Sequence, residues 1–142
     1  MLKLLDGGWV TITIANKEIC TAGNITDVPN EFLLGFIQLL TNEGHNNNGV
    51  VLTAYLEPGD VYVVFSQGVD TINNYYEVED NDRVFLGKLN YVELAKELIQ
   101  DIEKDVDNWL SFYTCLDNNK LKLKKNELLK NIKQLKKVLK EL

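Results

Sequence analysis

Apolar and polar positions alternate with period two over Trp9-Val10-Thr11-Ile12-Thr13-Ile14, which predicts a strand with Val10, Ile12 and Ile14 on one face. Asn16-Lys17 offers a turn, and Glu18-Ile19-Cys20-Thr21 reads as a short return strand. The period then changes. Phe32, Leu33, Phe36, Ile37 and Leu40 recur at three-and-four spacing, which predicts an amphipathic helix near 28–43. Asp27 is its expected N-cap, Pro29 is tolerated in the first turn, and Gly44 is the expected stop. A polar loop over His45–Gly49 follows.

Strand patterns return at Val50 to Leu56, Val61 to Ser66, Thr71 to Val78 and Arg83 to Leu89. Glu57-Pro58-Gly59-Asp60 carries type II turn chemistry, because proline presets the first central φ and glycine accepts a positive second φ. Glu79-Asp80-Asn81-Asp82 is the second turn. Short links between consecutive strands imply an antiparallel meander, not crossover units.

The last third is helical. Asn90 and Glu93 fit a capping box, and Ala95, Ile99, Ile102, Val106, Trp109 and Tyr113 then form one continuous stripe. Leu128, Ile132, Leu135, Leu139 and Leu142 repeat the spacing, with Leu121 upstream and Lys125 interrupting the seam. Asp117-Asn118-Asn119 separates the two helices. The pattern as a whole predicts one α+β domain over 1–142. Residues 1–89 are mainly an antiparallel sheet of about four to six strands with one inserted helix, and 90–142 form a helical hairpin.

Composition adds the class. A chain of 142 residues with 45% hydrophobic and 25% charged side chains can bury one sizeable core. The Met1–Leu5 apolar run is too short for a signal peptide, and no stretch reaches the roughly 20 apolar residues of a membrane span. Two cysteines, Cys20 and Cys115, make no disulfide framework, which points to a reducing cytoplasm.

Charge divides the chain. Residues 1–113 hold 6 basic and 18 acidic side chains, whereas 114–142 hold 9 basic and 3 acidic. The acidic body disfavours nucleic acid as a partner, and the basic segment has lysines only, without arginine or interleaved aromatics for base recognition. Two roles are open to the basic helix. It can pack internally against the acidic helix before it, or it can detach as a basic amphipathic element for a partner protein, a membrane surface or a second copy paired as a coiled coil in a homodimer.

Catalytic chemistry finds little support. The one histidine, His45, lies in an Asn/Gly loop, and neither cysteine sits in a nucleophile signature. An EF-hand reading from Asp80 fails at Phe85 and Tyr91, and no glycine loop cradles a phosphate. We therefore expect no catalytic residues, no metal site and no cofactor. The candidate partner surface is the acidic, aromatic hairpin of Tyr75, Tyr76, Glu77, Glu79, Asp80 and Asp82, where tyrosines give rigid contact area beside electrostatic steering.

The order of these signals resembles a known group. Asp27-Val28-Pro29 leading into an apolar helix, a strand closing in Glu57-Pro58-Gly59, and a late helix with Trp109 resemble small bacterial immunity proteins encoded beside polymorphic toxins. The likeness spans roughly residues 25–113 and excludes the basic last helix. It implies an acidic binder that neutralises a toxin by occlusion, without catalysis. The rival expectations are an enzyme with a carboxylate or metal site, and a homo-oligomeric structural protein built through the last helix.

Overall fold

The alternation at Trp9–Ile14 becomes the central strand of a three-stranded antiparallel sheet. A computed structural model of the chain describes residues 1–41, 49–55, 60–66, 74–78 and 82–142. The strands are β1 (Leu2–Leu5), β2 (Trp9–Ile14) and β3 (Lys17–Gly23), in that order across the sheet. Leu5 pairs with Trp9, and Ile12 with Cys20. Val10, Ile12 and Ile14 are fully buried, while Trp9 on the opposite face is 45% exposed. Ala15 and Asn16 both take positive φ, the pair of left-handed residues that a two-residue hairpin needs to match strand twist.

Helix α1 (Val28–Leu40) begins where expected, with the Asp27 side chain accepting from the Asn30 N–H. It ends at Leu40, with Thr41 as C-cap, three residues before the predicted limit. Strands β4 (Gly49–Tyr55), β5 (Asp60–Ser66), β6 (Asn74–Val78) and β7 (Val84–Gly87) form the predicted meander. It is a separate four-stranded sheet, not a continuation of the first. The Gly44 stop, the His45–Asn48 loop, Glu57-Pro58-Gly59 and Glu79-Asp80-Asn81 lie outside the described residues.

Val61, Val63 and Phe65 of β5 turn inward, and Phe65 packs on Phe36 of α1 at 5.4 Å between ring centroids. Buried side chains from both sheets and all the longer helices form one hydrophobic cluster. Helix α2 (Tyr91–Glu103) starts at Asn90, whose side chain accepts from the Glu93 N–H at 3.1 Å. Only that half of the capping box forms, since the Glu93 carboxylate faces Lys96 at 3.5 Å instead.

The continuous stripe predicted to Tyr113 is broken. Asp105 leaves helical geometry and caps a new short helix α3 (Val106–Trp109), followed by a tight turn at Leu110–Phe112. Aspartate has this local alternative to helix continuation. The apolar period survives the break because Trp109 and Phe112 still reach the core.

Helix α4 (Asn118–Lys140) starts at Asp117, so Asn118 and Asn119 are its first turn and not the loop. It lies mainly along α1 and less along α2, the predicted hairpin partner. Leu128, Ile132 and Leu135 are buried, whereas Leu142 at the end of the predicted stripe is exposed. Among the described residues no helix is long and apolar enough to cross a membrane.

Candidate functional site

The β6–β7 hairpin sorts its residues by strand alternation. Tyr76 turns toward the core, with the Lys17 ammonium 5.8 Å from its ring centroid. Tyr75 and Glu77 take the opposite face. Asp82 is exposed just before β7, and Glu79 and Asp80 lie outside the described residues. Of the six predicted contact residues, the structure therefore brings Tyr75 and Glu77 together and separates Tyr76 from them.

Two residues not named from the sequence complete that outer face. Phe85, register partner of Tyr75, is 60% exposed and meets the tyrosine ring edge-on at 5.9 Å. The Arg83 guanidinium lies 4.5 Å from the Tyr75 ring centroid, and its Nε is 3.4 Å from Glu77. The described face thus carries a second aromatic and a cation beside the expected tyrosine and acid. Its signal was available in part: Arg83 is the sole arginine, and Arg83 and Phe85 share a parity that pairs them with Glu77 and Tyr75.

Local chemistry holds this hairpin in place. The Asn74 side chain is fully buried, donates to the Gly87 carbonyl at 2.8 Å, and accepts from the Tyr91 hydroxyl at the start of α2. Tyr91 in turn packs edge-on against Phe65 at 5.6 Å. The face is anchored to the core through one buried amide.

A second polar cluster joins three elements around Asp27. Its carboxylate accepts from Tyr113 Oη at 2.6 Å and from Lys124 Nζ at 2.7 Å, besides Asn30 Nδ2 at 2.9 Å. Burial opposes the charged form, yet the bonds from Asn30, Lys124 and Tyr113 together hold the carboxyl below its ordinary range. Tyr113 is pushed up by burial and by the Asp27 charge. At Lys124, burial is outweighed by Asp27 and Glu127, which raise its pKa. Through these bonds the Asp27 carboxylate ties the start of α1 to Tyr113 and to α4.

The terminal amine of Met1 forms a third cluster, 2.6 Å from both Glu97 and Asp101 on α2. Beside it an open cleft of about 460 Å³ runs between β1 and the α2–α3 junction, lined by Lys3, Lys104 and Trp109 among others. Asp101 on its wall is engaged by the amine and by the Leu2 N–H.

Both cysteines carry free thiols. The Cys20 thiol is pushed up to about 11 by burial and the Glu18 charge, which keeps it a poor nucleophile at neutral pH. Among the described residues no group of three His, Cys, Asp or Glu side chains converges as a metal cage. No family model matches the chain, and no curated protein or solved structure matches it either.

Proposed function

We propose that this chain is a non-catalytic protein-binding module whose contact surface is the outer face of the β6–β7 hairpin. The observation that carries the reading is Phe85, 60% exposed on a strand and edge-on to Tyr75, whose own ring lies under the Arg83 guanidinium. Exposed aromatics beside arginine are the side chains that dominate protein interfaces, because they bring large rigid area and directed hydrogen bonds. Glu77 and Asp82 at the margin supply steering toward a basic partner. The free thiols support a reducing, cytoplasmic setting. A narrower form of the reading is an immunity-type protein that occludes a toxin, as the resemblance over roughly residues 25–113 implies.

The test is co-expression with the products of the neighbouring genes, followed by size-exclusion chromatography of the mixture. One product should co-elute with the wild-type chain and separate from the Phe85→Ser and Arg83→Glu variants. Failure of every neighbour to co-elute, or co-elution insensitive to both substitutions, would overturn the proposal.

A further inference from the structure

Helix α4 has two faces with different fates. The apolar one is occupied within the fold, by the burial of Leu128, Ile132 and Leu135. It is also fixed in register: Lys124 bonds Asp27, and Asn131 Nδ2 donates to Asn30 Oδ1 at 2.8 Å. At the flanks Lys125 pairs with Asp107, and Lys136 with Glu103. The helix is therefore held rigidly, and its outward face is presented without a need to detach.

Leu123, Asn126, Lys130, Lys133, Lys137 and Lys140 occupy that outward face, and all six are exposed. They follow one another at steps of three, four, three, four and three, opposite the buried stripe. None of these four lysines forms an ion pair among the described residues. The row spans about 26 Å at the usual rise of an α-helix. We propose that it is a docking surface for an acidic α-helix of a partner protein.

Spacing and chemistry select this occupant. Alternating steps of three and four residues keep a row aligned with a second helix over several turns, which neither a lipid plane nor a duplex requires. Lysines without guanidinium or aromatic neighbours offer point charges, suited to carboxylates and lacking base readout. Leu123 is 68% exposed and gives the row an apolar contact at one end. A symmetric second copy would set lysine against lysine and be repelled. This surface is distinct from the β6–β7 hairpin, so either can stand if the other fails.

Fluorescence anisotropy with the full chain tests it. The probe is a synthetic helical peptide with glutamates at heptad spacing, compared with a proline-interrupted peptide of the same composition. Vesicles of phosphatidylserine and phosphatidylcholine, and a DNA duplex, are the competing arms. The helical peptide should bind about tenfold more tightly than the interrupted one, since it is preorganised. Combined Lys130→Gln, Lys133→Gln, Lys137→Gln and Lys140→Gln substitution should weaken it by about tenfold or more. These side chains are exposed, so the variant's circular dichroism and melting should match wild type, and Phe85→Ser should bind as wild type does. Equal binding of the two peptides, unchanged binding by the glutamine variant, tighter binding of vesicles or duplex, or lysine-dependent self-association in light scattering would each overturn the proposal.

Discussion

Asn131 Nδ2 donates to Asn30 Oδ1 at 2.8 Å inside the α1–α4 interface, where both side chains are buried. A buried amide pair among leucines tolerates only one alignment of the two helices, because sliding either helix strands a polar group in the core. Replacing Asn131 with Leu should cost about 1–3 kcal/mol, since it leaves the Asn30 oxygen without its donor. The combined Asn30→Leu and Asn131→Leu variant should lose less than the sum of the single changes. Urea unfolding of the four proteins in a double-mutant cycle checks this; simple additivity would show that the pair does not act as a unit.

Asp27 makes stability depend on pH on the acid side. Its folded pKa is depressed, so its contribution is present above the unfolded carboxyl pKa and lost as pH falls through the folded value. Asp27→Asn removes the ion pair with Lys124 and should cost about 1–3 kcal/mol at neutral pH. Its urea midpoint should also fall less than that of the wild type during acidification. Parallel acid profiles would assign the acid sensitivity to other carboxylates.

What the sequence made legible was local. Val10, Ile12 and Ile14 announced their strand because one face meets the core, and Asp27 and Asn90 announced helix starts because capping is chemistry between residues three apart. What it hid was tertiary. Met1–Leu5 lacks alternation, and its place as β1 depends on pairing with β2 and on the amine held by α2. The break at Asp105 was masked because the apolar period runs across it. The docking of α4 on α1 rests on a contact between residues 101 positions apart, and the outer face of the hairpin needed a strand register before Phe85 and Arg83 could join Tyr75 and Glu77.

The Met1 amine should act on the alkaline side. Burial opposes its charge, but Asp101 and Glu97 more than compensate, so its folded pKa is raised. That stabilisation is fully present below the unfolded α-amino pKa and is lost as pH rises through the folded value. Its size should be about 1 kcal/mol, because Glu97 is half-exposed and screened by water. Thermal melts of the wild type and the Glu97→Gln, Asp101→Asn double variant from neutral to alkaline pH should converge as the amine loses its proton. A gap that stays constant would sink the idea.

Gly8 is constrained twice. Its φ is +84°, and an added Cβ would lie 2.7 Å from Asn24 Nδ2 and 3.2 Å from the Phe112 carbonyl oxygen. Asn24 cannot simply swing away, since that amide bonds the Phe112 carbonyl at 3.1 Å and the Thr114 hydroxyl at 2.6 Å. Gly8→Ala should therefore cost about 2 kcal/mol or more, combining the left-handed backbone with loss of the Asn24 bonds. At Gly87, whose φ is +72° with nothing near its Cβ, the same change should cost only the backbone part. Equal losses at the two sites would show that the Asn24 contact contributes nothing.

Arg83 separates stability from recognition. Its side chain is 57% exposed, and its contacts among the described residues are one ring face and one carboxylate that is also open to solvent. Contacts of this kind contribute less than about 1 kcal/mol to folding. Arg83→Ala should therefore melt within a few degrees of the wild type while weakening any partner held on the outer face of β6–β7. Arg83→Lys keeps the charge but loses the planar group over Tyr75, so it should restore only part of the binding. Full recovery with lysine would mean that the partner reads charge alone at this position and that Tyr75 does not orient it.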